Sequence, residues 1–327
     1  MKTVDYKNRL WTGKMPIREK KLQKKGTLRV GICESTPIVW KGELLMAEWT
    51  RPADMSTIGL SNAVGYIRFL NLKNGEQVGE PCGENRSFMC AIAEGDTMYV
   101  ICTRRFPDDE SQDHIIDIYS SSDLVHWEEH LAVITLPAPL KKAFNTSVCK
   151  DADGFTMIIE TNAPREISGG GFMAVFAKST DMIHWELLPF DRFVFCNDAD
   201  HSAGNPTIRY LDGYYYIIYN DRIMSWWRFM PYIVRTPDLE TYEPGLYNPM
   251  FMPDDDDKLM PFPERFTEEE RAYIETAVDT NNSDSDLCEY EGKTILTYNW
   301  GNQRASGNFI AYAEYDGGLE EFLKSWF

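Results

Sequence analysis

Two stretches of this chain are near copies of one another. Ser122-Asp123-Leu124-Val125-His126-Trp127-Glu128 and Thr180-Asp181-Met182-Ile183-His184-Trp185-Glu186 correspond position by position at an offset of 58 residues. A weaker third copy, Pro237-Asp238-Leu239-Glu240-Thr241-Tyr242-Glu243, follows 57 residues later. Each comes after a short apolar run (115–119, 174–177 and 232–234), turns on its Asp and reopens on an aromatic residue. A repeat of this length reads as a unit that must stack on its neighbours to bury its apolar faces.

A second series interleaves with the first. A glycine following an acidic or polar residue separates two alternating runs at Gly42, Gly95, Gly154, Gly213 and Gly292, with spacings of 53, 59, 59 and 79. That is a hairpin signal. Each unit then holds about four short strands, the content of a propeller blade. The prediction is an all-β chain, a five-bladed β-propeller forming one domain over residues 1–327. Residues 1–30 read as an N-terminal extension, extended or partly helical. The long last spacing places an insertion at 246–278. Within it, 253–257 reads as a solvated acidic loop. Thr267-Glu268-Glu269-Glu270 reads as a capping box opening a short helix to about Ala277. The strand at 309–315 is expected to close the ring against the first blade.

Net charge is −18. Nucleic-acid binding wants the opposite sign, and an anionic membrane surface is disfavoured for the same reason. Seven cysteines, with no CxxC pair, fit neither a disulfide framework nor a zinc site. The opening residues, MKTVDYKNRLW, lack the apolar stretch of a secretion signal. A cytoplasmic location is therefore expected, unless a signal peptide preceded residue 1. No pattern fixes an oligomeric state.

In a propeller the inner strand of each blade enters the channel at one face and turns back at the other. Eight residues before the five glycines stand Glu34, Ser87, Thr146, Asn205 and Asp284, all polar. Buried polar groups without partners cost roughly 1–3 kcal/mol each, so water or a ligand is expected at that face. Arg86, Asn145, Asp198, Asp200, His201 and Asp286 approach the same face, and Glu160, Arg222 and Trp300 return to it. Carboxylates, amides, arginines and indoles together suit a carbohydrate partner. Glycoside hydrolysis needs two carboxyl-type groups across the scissile bond. Glu34 and Asp284, on neighbouring blades once the ring closes, are the first candidates. His201, Glu160 or Asp286 could supply the acid. Arg86, Asn145, Asp200, Asn205, Arg222, Asp286 and Trp300 are candidate substrate contacts. His126 and His184, inside the repeated turn, read as structural.

The S-x-D-L-x-x-W-E turn (Ser121 to Glu128, with its copy Ser179 to Glu186) and the run from Asn205 to Tyr219 resemble five-bladed glycosidases. The chain is similar to glycoside hydrolase family 43 and its relatives, families 32, 117 and 130, over about residues 30–245 and 279–320. The family-43 resemblance implies inversion, with an Asp base in blade one, a second Asp that tunes a pKa, and a Glu acid. This chain departs from that pattern, with Glu34 or Ser35, Ser87 and Asn205 at the matching places. The family-117 resemblance implies a His acid and points to His201. The family-130 resemblance implies phosphorolysis, with Arg86, Arg104, Arg105 and Arg222 as phosphate contacts. No cofactor is required on this reading, and no metal ligands are assigned; a channel cation near His201 is compatible with the resemblance. The expected activity is that of an exo-acting, inverting glycoside hydrolase on a small oligosaccharide. The alternatives are a phosphorylase and a non-catalytic glycan-binding propeller.

Overall fold

The computed structural model describes residues 22–50, 65–106, 109–168, 171–190, 202–222, 228–302 and 308–327. After β1 (Gln23–Val30), blade one is β2 (Ser35–Trp40), β3 (Glu43–Thr50), β4 (Tyr66–Asn71) and β5 (Gln77–Cys82). Blade two is β6 (Arg86–Glu94), β7 (Thr97–Arg104), β8 (Ile115–Ser121) and β9 (Glu128–Thr135). Blade three is β10 (Lys142–Lys150), β11 (Phe155–Asn162), β12 (Met173–Ser179) and β13 (Trp185–Leu187). Blade four is β14 (Gly204–Leu211), β15 (Tyr214–Arg222), β16 (Phe229–Thr236) and β17 (Glu243–Pro244). Blade five is β18 (Asn281–Tyr290), β19 (Lys293–Gly301) and β20 (Asn308–Tyr315), completed by β1. The architecture is the five-bladed β-propeller expected from the glycine spacing. The inner strands β2, β6, β10, β14 and β18 surround the channel.

Successive side chains of a strand face opposite sides of its sheet, and here a neighbouring blade covers each side. On β3, Leu45, Ala47 and Trp49 pack with Met98, Val100 and Cys102 of blade two. Leu44 and Met46, one residue out of phase, pack with Ile295 and Ile310 of blade five. Five apolar clusters occupy the five blade-to-blade interfaces among the described residues. Burial on both faces is why these strands read as nearly continuous apolar runs.

The repeated motif is a side-chain-capped turn. The hydroxyls of Ser121, Ser179 and Thr236 accept N–H bonds from the residues two and three places on. The carboxylates of Asp123, Asp181 and Asp238 do the same. The residue between, Leu124, Met182 or Leu239, takes a left-handed φ of 62°, 70° or 60° and buries its side chain. His126 and His184 bond the same Asp through Nδ1 at 2.8 and 2.7 Å, as structural turn residues. Trp127 stacks on Phe69 of blade one at 5.9 Å, so the motif also couples blades.

Ring closure differs from the expectation. The C-terminal strand β20 lies inside blade five, between β19 and β1, and does not pair with blade one. Part of the anticipated N-terminal extension is therefore a blade strand. Glu48 of blade one, fully buried, clasps the junction. It accepts Nε of Arg29 on β1 at 3.1 Å and Nη2 of Arg68 on β4 at 2.7 Å. Glu48 is buried, but its arginine partners are 34% and 22% exposed, so water can reach the charges that its removal would leave. Glu48→Ala is expected to lower the unfolding free energy by about 2 kcal/mol, the scale of lost hydrogen bonds to a charged group, read from urea denaturation. An unchanged midpoint would show that the junction closes without the clasp.

The insertion carries α1 (Glu268–Thr276), and its capping box is formed. Thr267 Oγ1 accepts the Glu270 N–H at 3.1 Å, and Glu270 Oε2 accepts the Thr267 N–H at 2.9 Å. The acidic run is not merely a solvated loop. Asp257 is fully buried, paired with Lys24 Nζ at 2.7 Å and accepting bonds from the Tyr298 hydroxyl and Asn282 Nδ2. It draws β1, the insertion and blade five together. Burial and the adjacent Asp257 push the neighbouring Asp279 carboxyl up to about 8. At the C-terminus, α2 (Leu319–Lys324) and the turn after it bury Phe322, Leu323 and Trp326 against blades four and five.

Candidate active site

Each inner strand turns back at a hairpin, and the hairpins fix which positions are equivalent. The last paired residues before the turns are Trp40, Glu94, Lys150, Leu211 and Tyr290. Gly95 is the first of two turn residues, whereas Gly42, Gly213 and Gly292 are second, and the blade-three turn has four residues, 151–154. Counting from the glycines therefore shifts Ser87 and Thr146 out of phase. The position six residues before each hairpin is Glu34, Phe88, Phe144, Asn205 and Asp284. The mouth carries two carboxyls, one amide and two aromatic rings, and is not uniformly polar.

In blades two to five this position is the first residue of a β-bulge. Phe88 and Met89 oppose Cys102, Phe144 and Asn145 oppose Glu160, Asn205 and Pro206 oppose Tyr219, and Asp284 and Ser285 oppose Tyr298. Bulges re-aim side chains and recur beside active sites. Phe88, Asn205 and Asp284 take φ of 50°, 36° and 48°. For a bulky Phe that conformation costs on the order of 1–3 kcal/mol and persists only where its surroundings enforce it.

The bulges bring two buried carboxyls to one place. Glu160 Oε2 accepts Asn145 Nδ2 at 3.0 Å and the Asn205 backbone N–H at 2.8 Å. Burial nevertheless pushes its carboxyl up to about 7; the two hydrogen bonds oppose that rise and the Asp284 charge adds to it. Asp284 Oδ1 accepts Asn220 Nδ2 at 3.1 Å, and Oδ2 accepts the Ser283 hydroxyl at 2.8 Å and the Cys33 thiol at 3.6 Å. Burial holds Asp284 above the ordinary carboxylate range, against the bonds from Ser283, Cys33, Asn220 and Asn205. Asn145 and Asn220 spend their amide N–H groups on these carboxyls. Their Oδ1 atoms, and Ser87 Oγ, are buried with no hydrogen-bond partner among the described residues. Buried polar atoms are normally satisfied, so these invite donors from water or a ligand.

Glu34 is buried immediately before β2. Its carboxylate and that of Glu160 both favour the charged form of Arg105, whose pKa burial lowers. Arg105 is half-buried, its Nη1 bonded to the carbonyls of Arg104 and Asp113 at 2.6 and 3.2 Å. Its guanidinium lies over Phe88 at 4.8 Å and Phe144 at 5.3 Å. From there an aromatic arc runs Trp49, Phe88, Phe144, Phe172, with successive centroids 5.6, 5.5 and 5.1 Å apart. The three phenylalanines are half-exposed, while Trp49 is buried.

Of the residues expected from sequence, the structure groups Glu34, Glu160, Asp284, Asn145 and Asn205. Arg222 ends β15, half-exposed, its N–H bonded to Asp221. Three others lie elsewhere. Arg86 is held by Asp117 at 2.6 Å, which also takes Arg104. Asp286 pairs with Arg209 at 2.5 Å across blades, beside a cavity of about 320 Å³ at the hairpin end of the channel. Trp300 is sealed in the blade-five core, stacked on Phe309 at 4.2 Å. His201 and Asp200, with Asp198, lie outside the described residues. Among the described residues no group of three His, Cys, Asp or Glu could hold a metal ion. No helix there is long and apolar enough to cross a membrane. The arc of Phe88, Phe144 and Phe172 was missed from sequence; hairpin-based alignment of the inner strands would have found the first two.

No protein-family model matches the chain, and no curated protein matches it by sequence. Solved structures match its fold. One described as a glycoside hydrolase gives a TM-score of 0.63 at 14% identity, covering 90% of this chain and 92% of that one. A thermostable family-43 glycoside hydrolase gives 0.56 at 11% identity, over 89% and 91%. A β-1,2-mannobiose phosphorylase from Listeria innocua, in complex with β-1,2-mannobiose, gives 0.55 at 12% identity, over 96% and 95%. The chain thus shares the five-bladed fold of family-43-like glycoside hydrolases and related propeller enzymes.

Proposed function

We propose that this protein is an exo-acting glycoside hydrolase that removes a terminal sugar from a small oligosaccharide with inversion. The observation that carries the reading is the buried Glu160, pushed up to about 7 beside a second buried carboxyl, Asp284, at the channel mouth. A carboxyl with that pKa carries a proton near neutrality, which a general acid needs. In the proposed reaction Glu160 gives its proton to the glycosidic oxygen as the bond to the anomeric carbon breaks. Glu34, near the Arg105 charge, takes a proton from the water that forms the new bond. Burial keeps Glu160 protonated, and the Asp284 charge adds to it. The exo mode, like the small oligosaccharide, is part of the proposal and is read from the products released. Inversion rests on the family-43 resemblance.

The fold is equally that of a phosphorylase, but two of the four arginines expected to hold phosphate, Arg86 and Arg104, are spent on Asp117. A glycan panel run with and without phosphate tests the choice. Release of free sugar, independent of phosphate, is expected; a strict phosphate requirement would replace hydrolase by phosphorylase. Release of nothing from any glycan would leave a binding propeller. A general acid loses activity above its pKa, so the alkaline limb of kcat/KM reports Glu160. Asp284→Asn removes a charge that raises that pKa. The limb is expected to move to lower pH, and an upward move would contradict the assigned roles.

A further inference from the structure

At the hairpin-equivalent position, blades one, four and five present Glu34, Asn205 and Asp284, whereas blades two and three present Phe88 and Phe144. The aromatic half is built, not incidental. Phe88 is held at a φ that bulky residues avoid, Arg105 pins the rings from one side, and Phe172 extends the surface to the start of blade three's third strand. Three partly exposed rings in edge contact leave one shared apolar area uncovered. That area borders one particular group. Phe144 shares its bulge with Asn145, which donates to Glu160, and Glu160 is the residue opposite that bulge. In the proposed reaction the leaving group departs from beside the acid. We infer that Phe88, Phe144 and Phe172 form the leaving-group subsite, seating the flat C–H face of a pyranose ring. The inference rests on the hydrolase reading for the direction of departure.

Glycosides paired by sugar, one p-nitrophenyl and one methyl, probe the surface, because the aryl ring offers a flat apolar face. Binding is measured by calorimetry in the Glu34→Gln protein, because loss of the proposed base slows attack by water whatever the leaving group, whereas p-nitrophenolate departs with little help from Glu160. The aryl member is expected to bind about tenfold more tightly. Phe144→Ala, added to that background, is expected to erase the preference, while Phe144→Tyr keeps it. Phe172→Ala, in the loop before β12, gives a second reading should Phe144→Ala lower the melting temperature. If wild-type protein cleaves a glycoside but neither alanine variant alters the aryl preference, the subsite assignment is wrong and the hydrolase reading stands. If aryl glycosides bind with the expected preference but none is cleaved, the surface stands as a glycoside site and the hydrolase reading fails. Absence of both binding and cleavage overturns the two together.

Discussion

Replacing Glu160 by Gln is expected to lower turnover of a cleaved glycan by about 10²–10⁴-fold and, at alkaline pH, to make the protein more stable. The two effects share one cause. The folded carboxyl titrates at about 7 against 4.5 for the free group, chiefly because burial strips its water. The folded state therefore binds this proton more tightly than the unfolded chain. Stability is full below pH 4.5, falls as pH rises, and levels off above 7. The loss on the alkaline side is roughly 3 kcal/mol. Glutamine cannot ionise and escapes it. Urea midpoints of variant and wild type should diverge in favour of the variant at pH 8 and come together near pH 4. Equal midpoints at pH 8 would mean that Glu160 is not held against its charge. Activity lost together with stability would mark a structural residue instead.

Asp257→Ala is expected to cost about 3–5 kcal/mol, whereas Asp255→Ala, two residues earlier, should stay within about 0.5 kcal/mol. Asp257 is fully buried among Lys24, Asn282 and Tyr298. Its removal takes the nearer carboxylate from a lysine whose side chain is 5% exposed, leaving it Asp254 at 3.3 Å, and breaks the bonds from Asn282 and Tyr298 that tie the insertion to blade five. Asp255 is exposed. Chemical denaturation of the two variants side by side measures the contrast. Similar midpoints would mean that the acidic run is a solvated loop after all.

The fold was legible because its signals are local. A turn glycine after a polar residue, and a Ser or Thr two places before an Asp, do their work within a few bonds. They survive in the sequence whatever lies around them. The site was legible in kind but only partly in place. Glu34, Asn205 and Asp284 could be aligned because their hairpins share one length, while a four-residue turn and an early glycine hid Phe88 and Phe144. Arg86 and Trp300 are residue types that suit a sugar site, yet the partners that claim them, Asp117 and Phe309, come from pairing the sequence does not print. Asp257 looks solvated until Lys24, 233 residues away, arrives beside it.

The fifth blade joins β1, which precedes the other four blades, to β20, which follows them. That join sets an order on biosynthesis. The ribosome makes blades one to four while β1 has no strand to pair with, and β1 waits until β20 is made. Asp284 enters the channel only with the fifth blade, so one of the site's paired buried carboxyls is missing until then. Nascent chains stopped before β18 therefore lack a complete site, however well their earlier blades have folded. Contacts this distant in sequence also make closure the slow event in folding. The mouth is complete only when the first and last strands of the ring have met.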